Sequence, residues 1–316
     1  NLYSGNATNG TTISTGHTND LIWTKGRAGT YGGRGLRIID SVRGATKVLY
    51  GDQDLAEGTN NSSSGVTGFA STSYTIGGDA DFNGSGTTYV SWTWKIQAGV
   101  CDIQTYTGNG SARTISHNLG AVPTMMIIKK RNTAAPWSVG HASLGANQVL
   151  ELNETDAVAT DATYWNNTRP TSSVFTVGTD GNQNTNTHTY LIYLFGNKQG
   201  VSRMGKYIGN GNADGTFVYT GFKPAFVMQK STTTTYGWQI YDNKRGGFNP
   251  ENDELVANLD SAETDGSGNG FPDFYSNGFK LRNTDINKNA SGVTYIYMAF
   301  AENPFVTSTG VPATAR

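Results

Sequence analysis

Four histidines, one cysteine and a scatter of carboxylates are the residues in this chain whose types can do chemistry. Hydrolysis through a nucleophile needs a reactive side chain at a sharp turn and a histidine to take its proton. His17, His117, His141 and His188 stand far apart, and no serine sits in a Gly-x-Ser-x-Gly turn. His117 and His188 lie near the two ends of one segment and invite a pairing across a sheet. A similar downstream segment has neither, so structural or exposed roles are expected for both. No close His/Cys pair exists to hold zinc. Cys101, beside Val100, reads as a small packing residue.

Carboxylates offer two further chemistries. Asp79-Ala80-Asp81-Phe82-Asn83-Gly84 alternates oxygen ligands as a calcium loop does, and Asp265-Gly266-Ser267-Gly268-Asn269-Gly270 does so less well. Neither matches the twelve-residue loop that ends in Glu, so a tight solvated turn is the simpler reading. Glycoside cleavage needs two facing carboxyls, and Glu57, Glu151, Glu154, Glu263 and Glu302 are candidates. Their Gly, Asn and Thr surroundings predict ordinary acidity rather than a raised pKa. No catalytic residue, metal or cofactor is therefore assigned. The remaining chemistry is stacking of aromatic rings on a saccharide. Tyr164-Trp165-Asn166-Asn167 places two rings and two amides in a polar connection without β alternation, and these four residues are the expected carbohydrate-binding site. Tyr236-Gly237-Trp238 is set aside because Trp238 aligns with Trp137, which suggests a shared core position.

The elements that position these residues come in three copies. Tyr106-Thr107-Gly108-Asn109-Gly110 and Tyr207-Ile208-Gly209-Asn210-Gly211 each open a segment that reaches an apolar run, Pro123 to Lys129 and Pro224 to Lys230. The closing runs are Thr189 to Phe195 and Thr294 to Phe300. Leu21 to Lys25 and Thr88 to Trp94 are the corresponding runs of a first copy. From the lysine after the apolar run to the closing tyrosine is 64 residues (Lys25 to Tyr89), 61 (Lys129 to Tyr190) and 65 (Lys230 to Tyr295). A period near 100 is long enough for a small domain with its own core.

Forty-one glycines and abundant Thr, Asn and Ser, with only 15% charged residues, fit short strands joined by polar turns. No stretch carries helical apolar spacing across three turns. The predicted fold is all-β: three tandem antiparallel β-sandwich (jelly-roll-like) units of about 100 residues. They span 1–99, 100–203 (ending in a linker at 197–203) and 204–303, with a tail at 304–316, and are expected to pack as beads. Residues 1–20 read as a loop or the remnant of a strand, which leaves the first unit without its opening. A net charge near −1 argues against nucleic acid, and no run of eighteen apolar residues predicts membrane insertion.

Asp40 to Lys47, Asn83-Gly84-Ser85-Gly86 with Tyr89 to Trp92, His117 to Lys130, and Lys206 to Asn303 together resemble tailed-bacteriophage virion proteins. The likeness is to the repeated β-rich domains of tail-fibre-like proteins of marine phages, and it extends over nearly the whole chain. It supplies no catalytic residue. It implies a non-enzymatic structural protein of the virion, an extracellular particle, most simply a tail-fibre or spike component for host-surface attachment. A capsid or neck decoration protein is the alternative, and a glycan depolymerase the second. The implied partners are other virion proteins and further copies of the chain (a homotrimer is favoured), and the Tyr164-Trp165-Asn166-Asn167 loop adds a host surface glycan to the expected partners. The incomplete first unit departs from the pattern, implying either a longer parent chain or a strand supplied by a neighbouring subunit.

Overall fold

The computed structural model describes residues 1–59, 63–246, 249–265 and 272–302. The tail at 304–316 and all but Asp265 of the second calcium-like stretch lie outside the described residues. The chain is all-β, with one sheet topology used three times. In the first unit a six-stranded sheet runs, neighbour to neighbour, Leu2–Ser4, Thr87–Trp94, Leu21–Gly29, Arg37–Asp40, Lys47–Tyr50, Gly58–Thr59. The second repeats it as Cys101–Thr107, Thr189–Phe195, Met125–Lys130, Ser138–His141, Gln148–Glu151, Ala159–Thr160. The third does so as Ser202–Ile208, Thr294–Ala301, Pro224–Ser231, Gln239–Asp242, Asp253–Val256, Thr264–Asp265. A smaller outer sheet accompanies each: Thr11–Ser14 with Ser73–Ile76 and Val66–Phe69, Arg113–Ser116 with Val174–Val177, and Phe217–Tyr219 with Gly278–Lys280 and Asp273–Tyr275. Ser202 already pairs with Phe300, so the expected boundary at 203/204 falls inside a strand. The expected linker is a tight turn closed by Lys198 and Ser202.

The first unit does have its opening. Leu2–Ser4 pairs with the closing strand, and Tyr3 stacks on Tyr89 as Tyr106 does on Tyr190 and Tyr207 on Tyr295. Tyr3-Ser4-Gly5-Asn6-Ala7 is the motif, disguised because Ala7, at φ 56°, stands where Gly110 and Gly211 have φ 75° and 65°. The preceding glycine is obligatory. A Cβ on Gly5, Gly108 or Gly209 would lie 2.2, 2.1 or 2.3 Å from the carbonyl oxygen of Gly84, Thr185 or Ala290. The motif's asparagine meets a buried partner asparagine: Asn83, Asn184 and Asn289 accept from the amides of Asn6, Asn109 and Asn210. Each partner ends a four-residue helical turn capped by Asp79, Asp180 or Asp285. The first calcium-like stretch is thus a capped turn, with Asp81 paired to Arg37 at 2.8 Å.

Strand pairing lies within units, but the units are not beads. Alternation sends Leu21 and Trp23, Met125 and Ile127, and Phe226 and Met228 into one core shared by all three units. Ile22, Met126 and Val227, between them, enter local cores under each outer sheet. Sheets covered on both faces need apolar residues at successive positions, which is why Met125–Lys130 lacks polar alternation. At the centre, Trp94, Phe195 and Phe300 occupy the same register position and meet edge to face, with centroids 5.4 to 6.2 Å apart.

The junctions repeat cyclically. The amides of Glu57, Val158 and Glu263 donate to the carbonyls of Arg131, Thr232 and Arg27, joining first unit to second, second to third and third to first. Lys129, Lys230 and Lys25 follow the same cycle, each buried with its ammonium on carbonyls across the junction, at Asp54, Thr155 and Leu259. The three sheets therefore close into a ring with threefold pseudosymmetry.

Candidate functional site

Asp161 caps the helical turn Ala162–Trp165 through Thr163 N, and Asn166 and Asn167 end it in the left-handed region at φ 49° and 53°. This turn lays both rings onto the local core. Trp165 is 3% exposed and donates from Nε1 to Gln148 O at 3.0 Å. Tyr164 is 8% exposed, accepts from Asn182 Nδ2 at 3.1 Å, and burial pushes its hydroxyl up to about 12. A Cβ on Gly140 would come within 2.9 Å of the Trp165 ring, so the strand beneath is shaped to the indole. The expectation of exposed stacking rings is corrected. Tyr164 and Trp165 are packing residues, and only Asn166 and Asn167 face solvent. A single helical turn is too short to show a period, so the connection read as a loop.

Trp165 nevertheless forms one wall of a cleft of about 210 Å³, with Val122, Pro123, Met126 and Pro170 as the other apolar walls. Arg169 lies at its edge and donates to the carbonyls of His141 and Leu144. His141 is held as a neutral ring. Its Nδ1 accepts from Ser143 N at 3.1 Å, so Nε2 carries the proton facing Tyr297 O at 3.3 Å, and burial pushes its pKa down to about 4. An imidazole committed on both nitrogens is a poor general base. The cleft suits a small apolar group.

His117 is also tied, with Nδ1 accepting from Leu119 N and Nε2 near Thr171 O. It sits at the Asp102 end of the pair Cys101–Thr107 and Thr189–Phe195, whereas His188 adjoins the Thr107 end. Six strand residues, about 20 Å, separate those ends, and the two histidines do not meet. Burial pushes the Cys101 thiol up, which withdraws it from nucleophilic chemistry.

Glu151 and Glu154, of the five candidate acids, depart from the expectation of ordinary acidity, as does Glu251, which is not among them. Burial raises Glu151 and Glu154, with repulsion from neighbouring acids adding to it, and pushes Glu251 up to about 7. Glu251 is buried and lines neither of the two clefts described here. The second cleft, of about 330 Å³, is polar and lies where the first and third units meet, between Tyr31 to Arg37, Gln53 and Asp260. No group of three or more His, Cys, Asp or Glu side chains is placed to hold a metal ion among the described residues, nor is any helix there long and apolar enough to cross a membrane.

These features define an all-β chain of three like units closed on one aromatic centre. The chain belongs to the family described as Domain of unknown function (DUF7483), whose model matches residues 1–304. No curated protein and no solved structure matches it.

Proposed function

We propose that the chain is a non-enzymatic structural protein of a bacteriophage particle, a tail-fibre or spike component that attaches the particle to a host surface glycan. The observation that carries this reading is the cyclic closure of three like units on a shared core, which makes a rigid body of threefold pseudosymmetry. Such a body is rigid enough to serve as one protomer of a fibre or spike and turns its outer faces toward further copies of itself. Each unit is read as an antiparallel, jelly-roll-like β-sandwich, because a local core fills the space between its two sheets. The groups most apt for catalysis serve the fold instead: His117 and His141 brace backbone, and the repeated lysines bridge units. The favoured assembly is a homotrimer formed through outer faces, since the inner ones are already occupied, with other virion proteins as further partners.

Electron microscopy of purified particles labelled with an antibody against this chain tests the reading. Label on tail fibres or spikes is expected. Unlabelled particles would overturn the virion reading, and label confined to capsid or neck would favour a decoration protein. A strictly monomeric mass of the purified chain by light scattering would remove the autonomous trimer.

A further inference from the structure

The three outer sheets occupy equivalent places, and one differs in kind. Their inward residues match: Ile13 opposite Tyr74, Ile115 opposite Phe175, Val218 opposite Phe279. Alternation then fixes which side chains face out. The first unit has Thr12 and Ser14 opposite Thr75 and Ser73, and the second Thr114 and Ser116 opposite a buried Thr176 and a half-buried Val174. The third presents Phe217 and Tyr219 opposite Lys280 and Gly278, with Asp273 and Tyr275 on the adjoining strand.

The rings are displayed. Phe217, Tyr219 and Tyr275 are 44%, 64% and 40% exposed, and Phe217 meets Tyr275 edge to face at 6.1 Å. Gly278 lies among them. A Cβ there would strike the Val218 carbonyl oxygen at 2.2 Å and the Phe217 ring at 2.9 Å, so backbone and ring together leave no room for the side chain that the second unit has in Val174. The rim is charge-balanced: Lys280 pairs with Asp214 at 2.5 Å, Arg282 with Asp273 at 3.2 Å, and Tyr275 donates to Asp273 at 3.1 Å.

The repeated fold does not require these rings, since the other two units have Thr, Ser and Val at the equivalent register positions. We propose that this face of the third unit is a saccharide-binding platform for a neutral glycan chain. Sugar C–H faces stack on Phe217, Tyr219 and Tyr275, and hydroxyls reach the paired charges of Lys280, Arg282, Asp214 and Asp273. Balanced rim charge selects against a polyanion. Three half-exposed rings cover on the order of 300 Å², well short of the roughly 800 Å² per partner of a stable protein interface. The inference rests on the attachment reading and supplies it with the exposed rings that Tyr164 and Trp165 do not provide.

The test uses the full chain and protease-treated cell-envelope polysaccharide from the host strain, immobilised beside neutral malto-, cello- and chito-oligosaccharides. Wild type is expected to be retained on at least one of these. Tyr219→Ala/Tyr275→Ala and, separately, Phe217→Ala, all at exposed rings, should weaken retention tenfold or more with melting temperatures unchanged. Lys280→Gln should weaken it a few-fold. Retention of the double variant equal to wild type, or no retention of wild type on any glycan, overturns the platform. So does retention found only on extract that has not been protease-treated, which would mark a protein partner. Antibody labelling of particles is independent of all these variants, so failure of the platform and failure of the virion reading remain distinguishable.

Discussion

Glu263 of the third unit grips Arg27 of the first through two hydrogen bonds, Nε to Oε2 at 2.8 Å and Nη2 to Oε1 at 2.6 Å, across 236 residues of chain. The same carboxylate pairs with Arg245 at 2.9 Å, whose guanidinium is fully buried. Glu57, Arg131 and Arg43 repeat the arrangement between the first and second units. At the remaining junction Val158 and Thr232 replace the acid and arginine, keeping the backbone bond beside the Lys230 bridge. Glu263→Gln should therefore cost about 3 kcal/mol, because it strips a charge from buried partners instead of replacing the set. A urea midpoint moved by less than the equivalent of about 1 kcal/mol, the scale of an exposed pair, would show that the closure contributes little.

The bridging lysines predict how stability depends on pH. Burial lowers Lys25, Lys129 and Lys230 from about 10.5 to about 8. Between those values the unfolded chain binds more protons than the folded one, so stability rises as pH climbs through 8. Glu251 acts oppositely but lower down, losing stability as pH rises from its ordinary value to about 7. Above pH 10 unfolded tyrosines ionise while buried ones such as Tyr193 and Tyr207 resist, which reverses the trend. The urea midpoint should rise from pH 7 to pH 9, and less so in Lys25→Met. A falling midpoint over that range would refute the account.

Trp165→Ala should destabilise the chain by about 3 kcal/mol, since it empties a site shaped by Gly140 and removes the bond to Gln148 O. Thermal unfolding checks this. An unchanged melting temperature would return Trp165 to the surface role that its sequence neighbours suggest.

What could be read from sequence divides along physical lines. Apolar runs such as Met125–Lys130 announce doubly covered strands, so the all-β class and the threefold order were legible. Ring closure was not, although a lysine closes the first apolar run in all three copies. Its partners are backbone carbonyls in loops, and carbonyls leave no mark in sequence. Comparing the copies would have revealed Phe217-Val218-Tyr219 against Thr12-Ile13-Ser14, a difference visible once register is known. Ala7 hid the first opening by filling a glycine's place.

That substitution is itself testable. Ala7 sits at a φ that costs an L-residue about 1–2 kcal/mol, against which glycine loses roughly 0.5–1 kcal/mol in chain entropy. Ala7→Gly should stabilise by about 0.5 kcal/mol, the net of those two terms. Gly108→Ala should do the opposite and by more, because its Cβ would collide with Thr185 O. A melting temperature lowered by Ala7→Gly would mean that Ala7 makes a contact worth more than its strain.

The junction between the second and third units, which lacks the acid–arginine set, gives the last prediction. Trp92 donates to Asp242 at 2.9 Å and Tyr193 to Asp40 at 2.7 Å, each acid also holding a buried arginine, Arg245 or Arg43. At the equivalent places around the ring stand Met298, His141 and Leu144. His141 faces the Tyr297 carbonyl, and Met298 beside it has no proton to donate. His141→Asp alone would set a carboxylate against that carbonyl with neither donor nor arginine, at an expected cost of about 3 kcal/mol or more. Adding Leu144→Arg and Met298→Tyr supplies both missing partners, and the triple variant should recover most of the loss. Urea denaturation of the single and triple variants measures this directly. If the triple variant is no more stable than His141→Asp, the three junctions are alike in backbone only, and each has been repacked too far for its side chains to be exchanged.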